Sequence, residues 1–182
     1  MKQMNYKILL TILTVTILLS CLGCSNTIAA WKRYLNEEMS LFGHRNWIVV
    51  VDSAYPKQSR PGIETVATNA SHLEVLKAVM KAIEEAPHIN ANIYQDAELD
   101  SVSDTSAPGI EEYRNQLKQL LKDRNINKRL HEDIIYKLDK AAETFNVLIL
   151  KTDFALPYTS IFFELDCGYW NAEKEKALRQ SM

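Results

Sequence analysis

The chain has 182 residues, 47% of them hydrophobic, with 21 Lys and Arg against 23 Asp and Glu for a formal net charge of −2. That is enough chain for one domain with a substantial core and too little for two comfortable ones. The near balance of charge, with no long basic stretch, excludes the electrostatic footprint of a nucleic-acid binder, and five glycines and five prolines exclude a low-complexity chain.

The first element is a leader. Lys2 and Lys7 precede an uncharged run over residues 8 to 20, too short to span a bilayer comfortably and of the length of a signal h-region. The run ends in LLSCLGCS, and Leu18-Leu19-Ser20-Cys21 resembles the bacterial lipobox, in which a small residue precedes the cysteine that takes the lipid. Cys21 is the expected acylation site, with Cys24 the alternative. Residues 1 to 20 are then a lipoprotein signal peptide and 21 to 30 a tether. The protein is expected at the bacterial cell envelope, periplasmic or on the outer surface, held to the membrane by its N-terminal lipid. A signal anchor, or a leader cleaved without lipid, is the plainer alternative. With those two cysteines assigned, only Cys167 remains, so no internal disulfide framework is available and no metal site is expected.

Beyond the leader, residues 28 to 42 repeat Ile28, Trp31, Leu35, Met39 and Phe42 at helical spacing, and Gly43 ends the pattern. A buried strand is predicted over 46 to 52, a loop through Pro56, Pro61 and Gly62, and a short strand over 63 to 68. A helix capped by Asn69 or Ser71 runs to Ala86, where Pro87 stops it. A strand over 89 to 95 leads into an acidic, Ser-rich stretch, 96 to 108, read as a surface loop. Residues 110 to 122 are charged and amphipathic, and a helix follows over 129 to 145. Strands over 147 to 151 and 161 to 166 close the domain, which spans 31 to 170. A charged C-terminal tail, 171 to 182, is a solvated helix or frays. Strands interleaved with helices define an α/β fold, a three-layer α/β/α arrangement around a central, mostly parallel or mixed sheet.

Polar residues that bracket strands carry the chemistry. In FGHRNWIVVVDSAYP the apolar run Trp47-Ile48-Val49-Val50-Val51 has His44 before it and Asp52 after it. At about 3.3 Å per residue the two stand up to roughly 26 Å apart if the chain is extended. Either the chain bends at Gly43, or copies of the protein meet. A second polar cluster, LPYTS, spans 156 to 160, with Tyr55 and Arg60 in the loop after the strand. His72 and His88 match no pattern and are expected on the surface.

GHRNWIVVVDSAYP resembles the Gly-His, apolar strand, Asp-Ala-x-x-Pro signature of the D-ribose pyranase and L-fucose mutarotase (RbsD/FucU) family, with the same spacing of eight from histidine to aspartate. LKTDFALPYTSIFF resembles that family's Pro-Tyr-small-Asn step into the last strand, and His131 falls near a second family histidine that precedes a helix. Two positions depart from the pattern: Asp153-Phe154 stands where the family has Gly-Glu, and Ser160 stands where it has Asn.

The resemblance implies a cofactor-independent isomerase that interconverts ring forms or anomers of a free monosaccharide such as ribose or fucose. Opening a cyclic hemiacetal needs a proton delivered to the ring oxygen and one taken from the anomeric hydroxyl, a task for side chains that titrate near neutrality. His44 is the implied catalytic residue, and Asp52, His131, Tyr158, Thr159 and Ser160 the implied substrate-binding set. It also implies a homo-oligomer with sites at subunit interfaces. A sugar-binding or envelope scaffold lipoprotein that keeps the fold without the chemistry is the alternative function.

Overall fold

The computed structural model describes residues 30 to 182. The lipidation cysteines Cys21 and Cys24, the leader and most of the tether lie outside the described residues. Helix α1 covers residues 30 to 39. Then follow β1 (Trp47–Val51), β2 (Ile63–Ala67), α2 (His72–Glu84), β3 (Ile89–Asp96), a 3₁₀ turn (Ala97–Ser101), α3 (Ile110–Leu120), β4 (Ile126–Arg129), α4 (His131–Ala141), β5 (Val147–Lys151), β6 (Ile161–Cys167) and α5 (Ala172–Ser181).

Six strands form one sheet in the order β2-β5-β1-β6-β3-β4. β1, β2 and β5 are mutually parallel, as are β3 and β4, and β6 runs antiparallel between β1 and β3. The strands buried on both faces are the continuous apolar runs WIVVV and VLILK. Alternate residues divide between two cores. Ile48, Val50, Leu148, Leu150, Ile161 and Phe163 pack with α1, α2 and α3. Trp47, Val49, Val51, Ile149 and Phe162 pack with α4. The fold is therefore three-layered, α/β/α, around a mixed sheet.

Two findings depart from the sequence expectations. β4, of sequence INKR, was not foreseen, because an edge strand with one apolar residue has no alternation to detect; its lysine and arginine blunt an exposed sheet edge. The segment after β3 is also not a plain surface loop. Asp96, Leu99 and Ala107 are buried, and the Arg114 guanidinium donates to the carbonyls of Leu99 (3.0 Å) and Val102 (2.6 Å), pinning the segment to α3.

After β6, Gly168 passes close to the start of β3. A Cβ there would lie 2.6 Å from the Ile89 carbonyl oxygen and 2.7 Å from that of Pro87. Both obstacles are backbone and cannot swing aside. Gly168→Ala is expected to cost about 1–3 kcal/mol, which lowers the melting temperature by several degrees in a thermal scan.

Candidate functional site at one edge of the sheet

The antiparallel placement of β6 decides what meets what. Its beginning lies among the C-terminal ends of β1, β3 and β5, so Asp52, Asp96 and the Tyr158-Thr159-Ser160 step share one edge. β4, parallel to β3, ends at the same edge and leads directly into α4, which puts His131 there as the first residue of that helix.

His131 is held from two sides. Its Nδ1 lies 3.0 Å from Oδ2 of Asp96, and its backbone N–H donates to both oxygens of Glu98, at 3.0 and 3.1 Å. A carboxylate at the first turn also complements the positive end of the α4 dipole. The hydrogen bond to Asp96 raises the His131 pKa against the opposing effect of burial, and the charges of Asp96, Glu98 and Asp52 add to the rise. Asp96 is wholly buried. Desolvation raises its pKa, His131 opposes that, and the carboxylates of Glu98 and Asp52 reinforce it. The imidazole of His131 therefore keeps its proton to a higher pH than a free imidazole does, and the carboxyl of Asp96 to a higher pH than a free carboxyl does. The other oxygen of Asp96, Oδ1, has no donor within reach among the described residues.

Tyr158 stands edge-on to His131, with ring centroids 5.9 Å apart. It is exposed, and its backbone has φ 56°, a left-handed conformation that the Cβ of a tyrosine disfavours by roughly 1–2 kcal/mol. Asp52 is partly exposed and accepts the Ala54 N–H at 2.7 Å, closing a turn after β1. Tyr55 is buried beneath that turn, where burial pushes its phenol up to about 12. Among the described residues no group of three or more His, Cys, Asp or Glu is placed to hold a metal ion.

Asp52, His131 and Tyr158 therefore lie together at one end of the strands. Thr159 and Ser160 sit at the same edge but are buried, and the Thr159 hydroxyl donates to the Leu156 carbonyl at 2.9 Å. Within this chain they hold the turn and present no hydroxyl to solvent.

His44 lies elsewhere. The chain bends before β1, with Arg45 at φ 77°, but it bends onto the far end of β6, where the Arg45 N–H donates to the Leu165 carbonyl at 2.9 Å. His44 Nδ1 pairs with Asp166 Oδ1 at 2.7 Å, at the edge opposite Asp52. Bending at Gly43 does not return it. The expected surface position of His72 is also corrected: it is 1% exposed, because its imidazole at the first turn of α2 packs against the rings of Tyr113 and Phe154.

Asp96, Glu98 and Asp166 were not foreseen as partners of the two histidines. One signal was present: an aspartate directly follows β1 and another closes β3, in VVVDSA and IYQDAE.

The protein is thus of the α/β class, with a histidine-carboxylate site outside the strand ends of a mixed sheet, where such folds commonly place sites. No family profile and no curated protein matches the chain. Its fold is similar to several solved structures, among them the following three. RbsD of Bacillus subtilis, complexed with D-ribose, is 17% identical, with TM-score 0.49, and the match covers 76% of this chain and 93% of that one. The fucose mutarotase of Streptococcus pneumoniae, in complex with L-fucose, is 16% identical, with TM-score 0.45, and the match covers 71% and 89%. FucU from Bifidobacterium longum is 12% identical, with TM-score 0.48, and the match covers 74% and 94%.

Proposed function

We propose that the protein is a cofactor-independent isomerase that opens and recloses the ring of a free monosaccharide. The observation that carries the proposal is the His131–Asp96 pair, a proton-holding imidazole at a strand-end edge beside the exposed phenol of Tyr158. In the proposed ring opening the His131 imidazolium protonates the ring oxygen while a proton leaves the anomeric hydroxyl, Asp96 stabilises the charge, and Asp52 and Tyr158 grip other sugar hydroxyls. A second base must accept the proton leaving the other oxygen. Tyr158 is exposed and Asp52 partly so, and the cluster reads as an open half-site. The His44 of a second copy, oriented by its own Asp166, supplies the missing group in a homo-oligomer.

The lipobox at Leu18-Leu19-Ser20-Cys21 supports a lipid-anchored form at the bacterial envelope. The alternative, a sugar-binding scaffold without chemistry, draws support from Ser160, which is 2% exposed and offers no planar amide to a ligand.

Saturation-transfer NMR of ribose, fucose and galactose with purified protein tests the proposal. Exchange between ring forms should be faster with the wild-type protein than in buffer and fall to the buffer rate with His131→Ala and with His44→Ala. Wild-type protein that binds a sugar and leaves its exchange rate unchanged is a scaffold.

A further inference from the structure

The turn that carries Tyr158 is held from inside the protein by groups the proposed reaction does not use. Tyr113, on α3, donates its hydroxyl to the Thr159 carbonyl at 3.2 Å, and His72 Nδ1 lies 3.1 Å from the same hydroxyl. A phenol has one proton. If it goes to Thr159, the contact with His72 requires Nδ1–H on the imidazole, donating to the phenolic oxygen. Phe154 closes the cluster, with its ring centroid 4.8 Å from that of Tyr113 and 5.7 Å from that of His72.

This is a costly way to fill a core. His72 is 1% exposed, Tyr113 is 4% exposed, and His72 Nε2 has no hydrogen-bond partner. A phenylalanine at position 72 would fill the space with no orphaned nitrogen to bury. What the polar pair adds is direction, because it fixes one carbonyl. That carbonyl belongs to the residue after Tyr158, whose left-handed backbone needs an external hold.

We propose that His72 and Tyr113 form an interior relay that sets the orientation of Tyr158 against His131. They are positioning residues, and the inference deepens the proposed function on which it rests. The relay runs from α2 through α3 to the turn before β6, so α2 and α3, packed on one face of the sheet, control a side chain exposed at its edge. Burial pushes His72 down to about 4, so the imidazole carries a single proton at neutral pH, and donation of the phenol proton to Thr159 places it on Nδ1.

The test uses the full chain with Tyr113→Phe, His72→Phe and His72→Asn. Asparagine places an amide N–H close to the position of imidazole Nδ1, whereas phenylalanine fills the space without a donor. The first readout is the His131 imidazole resonance, which feels the ring current of the nearby Tyr158. The second is the sugar exchange rate. Tyr113→Phe and His72→Phe should both move the His131 resonance and cut exchange by roughly tenfold, since small misplacements of site groups are expensive. His72→Asn should restore both. The relay is wrong if Tyr113→Phe, which keeps the ring and its packing, leaves the His131 resonance and exchange at wild-type values, or if His72→Asn behaves as His72→Phe does. If wild-type protein speeds no sugar exchange the proposed reaction fails, while the resonance still decides the relay.

Discussion

Asp96→Asn is expected to lower the pH at which His131 releases its proton and to reduce sugar exchange at neutral pH on the order of a hundredfold. The substitution keeps the shape of the side chain and an oxygen that can accept from His131 Nδ1, at present 3.0 Å from Oδ2. What it removes is the negative charge, and the hydrogen bond to Asp96 is the largest cause of the raised His131 pKa. The folded protein should not suffer, because asparagine takes away a carboxylate that burial penalises. An NMR titration of the His131 imidazole, followed beside a thermal melt, separates the two effects. An unchanged titration midpoint would mean that Glu98 and Asp52 suffice to hold the proton.

The second large effect is a loss of stability in acid caused by His72. Its pKa falls from 6.5 to about 4 on folding, first because of burial, with the Val50 backbone carbonyl opposing. Above pH 6.5 the imidazole is neutral in both states and contributes nothing to the pH dependence. Between 6.5 and 4 the unfolded chain takes a proton that the folded chain refuses, so stability falls with pH and levels off below about 4. At about 1.4 kcal/mol per unit the total is roughly 3 kcal/mol. His131 acts in the opposite sense: its raised folded pKa adds stability at low pH that is lost as pH rises through that value. Denaturant midpoints measured from pH 7 to pH 4 should therefore decline less steeply in His72→Phe than in the wild type. Parallel curves would show that His72 takes up its proton over the same pH range in the folded protein as in the unfolded chain.

How much of this was visible in the amino-acid order follows from what each element must satisfy. WIVVV and VLILK announced themselves because both of their faces are buried, and the helical stripe of Trp31, Leu35, Met39 and Phe42 did so because one face is. INKR was silent, since an edge strand makes half its bonds and buries little. The site divides the same way. Asp52 and Tyr158 were legible from short motifs with fixed spacing, whereas Asp96 looked like the first residue of an acidic loop. Nothing local distinguishes a carboxylate that turns inward under a helix from one that faces water. His72 was misplaced for the same reason: it opens an amphipathic helix, where a surface residue is common, and only α3 and the turn before β6 make it interior. Partners separated by 35 residues, as Asp96 and His131 are, or by 122, as His44 and Asp166 are, are set by sheet order.

β6 works as a ruler. Running against its neighbours, it has the Tyr158 turn at its head and Asp166 near its foot, so one stiff strand fixes the separation between the two histidine-carboxylate pairs. No rotamer change or loop movement shortens a paired strand. Under the proposed mechanism, a lone subunit carries two incomplete ends and no working centre. Copies must meet head to foot, and an array that joins in this way has as many centres as contacts: a closed ring of n subunits has n, while an open row has one fewer. Closure then decides whether every His44 is used.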